Sequence, residues 1–327
     1  MKTRFAPRLI RGLAIGALVG LTNCPLLSAD YHALKEISIG GAGGFDYLIV
    51  DSAARRLYVS HGTKAVVIDL EKDAVAGEIA DTPGIHGVAL APDLKRCFTS
   101  NGRENKASIV DMETLKTISK VETDRNPDAI LFEPSQQEVY TFNGRGNNST
   151  VFDAKTGKVV ATVPLSGKPE FAAADSKAGR VYCNIENKNE IAVIDIKTHQ
   201  VLKTWSISPG EEASGMAFDV AHHRLFIGCH NKLMEMIDST TGKVVTSVPI
   251  GDGVDANAFD PETQLAFASN GDGTVTIAHE DSPEKLTVVQ TLQTQKGART
   301  MALDPKTHKI YLPAGSGDSF KVLVYGR

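Results

Sequence analysis

Ala172-Ala-Ala-Asp175, Val181-Tyr-Cys-Asn184, Ile191-Ala-Val-Ile-Asp195 and Val201-Leu-Lys-Thr-Trp205 are four short apolar runs set apart by turn residues. Runs of this length, rich in β-branched and aromatic residues, read as strands joined by tight turns and are too short for stable helices. The opening run recurs as Leu48-Ile-Val-Asp51, Val88-Ala-Leu-Ala-Pro92, Ile130-Leu-Phe-Glu-Pro134, Met216-Ala-Phe-Asp219, Asn257-Ala-Phe-Asp260 and Met301-Ala-Leu-Asp-Pro305. With the first quoted run this makes seven cassettes at a spacing of 40–44 residues. A four-stranded unit at that period predicts a propeller blade, and seven units predict an all-β, seven-bladed β-propeller.

The last cassette, from Arg299, supplies Ile310-Tyr-Leu312 and Val322-Leu-Val-Tyr325 and then runs out before a fourth strand. Ahead of the first cassette, Leu34-Lys-Glu-Ile37-Ser-Ile39 alternates apolar and polar residues in strand fashion. The expectation is that this N-terminal strand, about residues 33–39, completes the last blade and closes the ring. Closure of this kind leaves no open sheet edge to template association, so a monomer is expected.

The N-terminus carries Lys2, Arg4, Arg8 and Arg11 and no acid, followed by the apolar run Leu13 to Leu21. That run falls short of the ~20 residues a spanning helix needs, and the segment reads as a signal peptide over residues 1–29. A propeller domain over residues 30–327, periplasmic or secreted, would follow, with no membrane span after cleavage. Leu21-Thr-Asn-Cys24 has the outline of a lipoprotein site, but Asn23 stands where a small residue is usual. Without residues 1–29 the chain has 31 Lys+Arg against 39 Asp+Glu, a net charge of −8, which argues against nucleic acid as a partner. Cys97, Cys183 and Cys229, one per blade in three blades and odd in number, read as buried thiols.

The stretches Asp153-Ala-Lys-Thr-Gly-Lys-Val-Val-Ala-Thr-Val-Pro-Leu-Ser-Gly-Lys-Pro169 and Asp195-Ile-Lys-Thr-His-Gln-Val-Leu-Lys-Thr204 resemble the repeat of the YVTN-type, YncE-like β-propellers. The tetrapeptide that gives the family its name is approximated by Tyr58-Val-Ser-His61, Phe98-Thr-Ser-Asn101, Tyr140-Thr-Phe-Asn143, Tyr182-Cys-Asn184 and Phe267-Ala-Ser-Asn270. The resemblance covers all seven cassettes. It implies an exported seven-bladed propeller of a group whose members are mostly of undefined role, some binding other macromolecules or serving near redox enzymes, and it names no ligand. Haem- or copper-bearing propellers need Cys-x-x-Cys-His or clustered His and Cys, which this chain lacks, so no cofactor is expected.

In a propeller, the loops entering the innermost strands and those joining second to third strands share the face around the channel mouth. Counting five positions back from each strand-end acid places Asp46, His86, Asp128, Glu170, Ser214, Asp255 and Arg299 in a ring at that mouth. Converging ionisable groups shift one another's pKa values and can hold a polar ligand; the surplus of acids points to cationic or hydroxyl-rich ones. The second-to-third loops add His61, Asn101, Asn143, His230 and Asn270 as secondary candidates, although Asn-Gly pairs are also ordinary hairpin chemistry. His61, His86 and His230 come from three separate blades, which argues against a shared metal, and His222-His223 reads as a solvated turn on the opposite face. Neither nucleophile elbow nor nucleotide loop occurs, and Trp205 is not followed by Asp, against a WD40 repeat. The reading is an exported binding module for a small polar ligand or a protein partner on the loop face. The alternative is a lactonase-like hydrolase with Glu170 or His86 as base beside Arg299.

Overall fold

A computed structural model describes residues 1–3 and 29–327 of the chain; the apolar run read as a signal peptide, and Cys24, lie outside the described residues. Among the described residues, twenty-eight strands form seven four-stranded antiparallel sheets, each built from consecutive strands save one. That one is blade 7, where His32–Ser38 pairs antiparallel with Lys321–Gly326 and supplies the outer strand. The closing strand begins and ends one residue earlier than the alternation suggests, an ordinary difference at strand ends. Ile37, 2% exposed, anchors it.

Burial follows position in the blade. In blade 1 the second strand, Arg56–His61, and third strand, Lys64–Asp69, are covered on both sides by neighbouring blades, while only Ile79 of the outer strand Ala74–Ile79 is buried. Seven apolar clusters among the described residues lie one at each blade interface. The cluster joining Ile37, Tyr311 and Val322 of blade 7 to Leu48, Leu57 and Ile68 of blade 1 makes the closure an interface like any other. Cys97, Cys183 and Cys229 are buried free thiols on second strands.

Turn chemistry separates the two faces. On the far face, Asp69, Asp111, Asp153, Asp195 and Asp238 end third strands and accept backbone N–H groups two and three residues on, as in Lys155 and Thr156 to Asp153. On the near face, loop backbones are bonded in series around the channel: Gly62 N to Gly44 O at 2.8 Å, Gly84 N to Gly62 O at 2.9 Å and Gly102 N to Gly84 O at 2.9 Å. Gly84 takes φ +64°, and a Cβ there would lie 2.5 Å from Cγ of Arg103, so the close packing of these loops requires glycine.

Candidate functional site

The ladder slips in the innermost strands of blades 2 to 6, between Ile85 and Val88, Pro127 and Ile130, Pro169 and Ala172, Ala213 and Met216, and Val254 and Ala256. His86, Asp128, Glu170, Ser214 and Asp255 sit inside these bulges. A bulge leaves its residue unpaired and bends the strand, which frees that side chain to turn from the sheet. In blades 1 and 7 the innermost strands are shorter, and Asp46 and Arg299 precede them.

Side-chain contacts join the ring residues into three groups. His86 Nδ1 lies 2.7 Å from Asp46 Oδ2 and 3.3 Å from Asp128 Oδ1. Lys168 Nζ pairs with Glu170 Oε2 at 2.8 Å and also with Glu186. Asp255 accepts from Ser214 Oγ at 2.9 Å and from Arg299 Nε at 2.6 Å. Tyr47 reaches across from blade 1 to donate to Glu170 Oε1 at 3.4 Å and packs edge-on against Phe171, which places an aromatic ring among the charges.

The crowding shows in acidity. Burial raises Asp46, partly offset by its hydrogen bond to His86. Burial, with the charge of Asp46, pushes Asp128 up to about 7 against the pull of His86. Glu170 likewise rises to about 7 from burial and the charge of Asp128, opposed by Lys168. For His86 burial is the largest influence and pulls it down, but the Asp46 hydrogen bond and the charges of Asp128, Asp46 and Glu170 together carry it up to about 9.

Above this floor opens a cavity of about 830 Å³ whose lining includes Asp46, His86, Arg103, Arg125, Arg145 and Arg299. Arg299 is held by Asp255, and the one ion contact of Arg125 is a loose 3.8 Å approach to its neighbour Asp124. The guanidiniums of Arg103 and Arg145 have no hydrogen bond or ion pair among the described residues. Both follow Asn-Gly in second-to-third loops, a context that hairpin chemistry explains by itself, so the sequence does not single out the cationic rim. The signal available was the repeat itself: Asn101-Gly-Arg103 and Asn143-Gly-Arg145 place the same cation on neighbouring blades.

The secondary loop candidates part company. Asn101, Asn143 and Asn270 are buried and spend their amides within their own hairpins, on Ser108 Oγ, Thr150 Oγ1 and Thr276 Oγ1. His61 is 1% exposed and stacked on Phe320 at 4.1 Å, and His230 stands at the surface 3.4 Å from Glu212. Neither joins His86. On the opposite face, the turn at His222-His223 is solvent-facing as expected, and its first residue also contacts the next blade. His222 Nδ1 lies 2.7 Å from Asp219 Oδ2 and 3.3 Å from Glu280 Oε1, because the next blade's hairpin reaches this turn. Burial, with the charge of Asp219, pushes Glu280 up to about 7.

No known family profile matches the chain, and no curated protein matches it in sequence. Among solved structures the chain is similar to hydrazine synthase of Kuenenia stuttgartiensis. The TM-score is 0.77 at 17% identity, covering 86% of this chain and 95% of that one. At that identity the likeness carries the architecture alone, in agreement with an all-β ring of seven four-stranded blades.

Proposed function

We propose that the chain is an exported binding propeller whose channel mouth takes a small polar ligand bearing an anionic group. The observation that carries this reading is the cavity in which Arg103 and Arg145, free of protein partners among the described residues, stand over Asp46 and His86. Guanidiniums match carboxylate and phosphate oxygens in bidentate fashion, and the floor offers acceptors to hydroxyl or amine groups. The cationic rim therefore shifts the expected ligand from a cation to an anion or a zwitterion. Export rests on the basic, then apolar, N-terminal segment, and membership of the YVTN-type propellers rests on the repeat residues.

A lactonase-like reaction is less well supported. His86 shares its Nδ1 between two carboxylates and, raised to about 9, is protonated at neutral pH, which makes it a poor general base. Glu170 is engaged by Lys168 and Tyr47. No helix of the described residues is long and apolar enough to cross a membrane.

The test is the melting temperature of the purified protein against dicarboxylates, sugar phosphates, uronic acids, neutral sugars and simple cations, repeated for Arg103→Ala/Arg145→Ala. A ligand at about 100 times its Kd adds about 2.7 kcal/mol to the native state. An anionic compound should raise the melting temperature of the parent and not of the variant. A rise confined to neutral or cationic compounds, or one that survives in the variant, would sink the anion reading. No rise across the panel would move the search to a protein partner on the loop face.

A further inference from the structure

One backbone hydrogen bond aligns six blades residue by residue. It runs from Leu70 N to Arg55 O, Met112 N to Lys95 O, Ala154 N to Gln137 O, Ile196 N to Gly179 O, Ser239 N to His223 O and Glu280 N to Gln264 O. In blades 1 to 4 the donor residue is a buried apolar one, and in blade 5 it is the buried Ser239. Blade 6 places Glu280 there, 3% exposed, with no hydrogen bond to either carboxylate oxygen. Its hairpin is also unlike the rest: the third strand Thr274–Ser282 has 9 residues where that of blade 1 has 6. The extension leans on blade 5, where Arg224 Nε donates to Pro283 O at 2.5 Å.

Blade 5 departs from the repeat at the place this hairpin reaches. The third position after the strand-end residue is Ala54, Leu94, Gln136, Ala178, Thr263 or Thr307 in the other blades and His222 in blade 5. Three strand-end acids elsewhere meet a donor from the following blade. Asp304 receives Ser52 Oγ at 2.6 Å, Glu133 receives Ser176 Oγ at 2.5 Å, and Asp260 meets His308 Nδ1 at 2.7 Å. Asp219, 1% exposed, meets Glu280 instead, a second acceptor. Two departures from the repeat in adjacent blades thus touch one another. They bring two buried carboxylates and an imidazole nitrogen within 4.8 Å of one another.

We infer that Asp219, His222 and Glu280 form a divalent-cation site, separate from the channel mouth and independent of its function, that takes an ion of the zinc class. A buried carboxylate that no donor serves is strongly unfavourable, and a cation at the shared centre removes that cost for Glu280 and serves Asp219 Oδ2, the oxygen left over once Ala221 N has bonded Oδ1. One imidazole nitrogen and two carboxylate oxygens suit zinc, and three protein ligands leave a fourth position for water. The side chain of His222, 39% exposed, gives that position access to solvent. Bound there, the ion ties the first turn of blade 5 to the long hairpin of blade 6.

Tag-free full-length protein, stripped with chelator, would be titrated with Zn²⁺ and Ca²⁺ by calorimetry, with bound metal counted by mass spectrometry. One equivalent of Zn²⁺ is expected, held more tightly than Ca²⁺, and weakened by about tenfold or more in both Glu280→Leu and His222→Ala. Leu70 occupies the position of Glu280 in blade 1, so Glu280→Leu should melt no lower than the stripped parent; His222→Ala, on a surface turn, decides the matter if it does. Absence of zinc uptake by the parent overturns the site and leaves Asp219 and Glu280 sharing a proton. Uptake unchanged in His222→Ala, or lost in Asp46→Asn/Asp128→Asn instead, overturns it as well.

Discussion

Asp304 and Asp128 lie on opposite faces of the ring, the first 0% and the second 8% exposed, yet their acidities move in opposite directions. Burial acts upward on both. Asp304 is nonetheless held below the usual carboxylate range, because Ser52, Thr307 and Arg55 all donate to it at 2.6 Å and Lys306 N adds a backbone bond. No hydrogen bond reaches the carboxylate of Asp128; its one close cationic neighbour is His86, at 3.3 Å. For these two carboxylates the donors decide the sign of the shift: four groups aimed at Asp304 outweigh its burial, and Asp128 has no such set. Asp304 acts as a fastening between blades, and Asp128 is left unsatisfied.

The largest expected effect is on the far face. Asp304→Ala would strand the Arg55 guanidinium and two hydroxyls where blade 7 meets blade 1, at a cost of about 3 kcal/mol. Urea unfolding measures it, and a loss below about 1 kcal/mol would break the contrast between the faces.

The next effect is in pH. A carboxyl whose folded pKa is raised, as for Asp128 and Glu170 at about 7, favours the folded state in acid, and that contribution is lost as pH rises from about 4 through 7. His86, raised to about 9, contributes fully below its ordinary 6.5 and loses its share as pH climbs through 9. Asp304, lowered, works the other way: its contribution is present above the ordinary carboxylate pKa and lost as pH falls through its folded value. Stability should therefore peak on the acid side of neutrality. In Asp128→Asn/Glu170→Gln the decline between pH 4 and 7 should shrink by on the order of 2 kcal/mol, while the loss at lower pH remains. Chemical denaturation across pH in both proteins tests this, and superimposable profiles would remove the claim.

The smallest effect sharpens the comparison. Arg103→Ala/Arg145→Ala deletes two exposed guanidiniums with no protein partner among the described residues, so stability should stay within about 0.5 kcal/mol of the parent. A larger loss by the same denaturation would make the rim structural.

Particular residues show where reading along the chain succeeds and where it stops. Counting back from strand-end residues names one position per blade for the proposed ring, because each blade repeats one register and a position carries over from blade to blade. The aim of those side chains depends on bulges, and an extra residue in a ladder leaves no mark in a pattern of apolar and polar letters. The pattern does not single out Arg103 and Arg145, since Asn-Gly explains a hairpin without them. Asn101, Asn143 and Asn270 were put forward on the same loops and lie buried instead, each serving its own hairpin. Glu280 is hidden in the sequence because blade 6 has His279 where the third strand of blade 1 ends in Asp69 and continues to Ser282, which obscures the equivalence with Leu70.

Period and alternation along the chain suffice to establish blade number, strand order and closure by the N-terminal strand, since each strand needs only its own pattern and its neighbour's to be placed. Which charges confront one another is a different matter. Asp46 with His86, Tyr47 with Glu170, and Asp219 with Glu280 belong to different blades and meet only when the sheets stack around an axis. Contacts between blades, and the acidities that follow from them, are set by that closed packing, where burial strengthens each unbalanced charge and water no longer screens it.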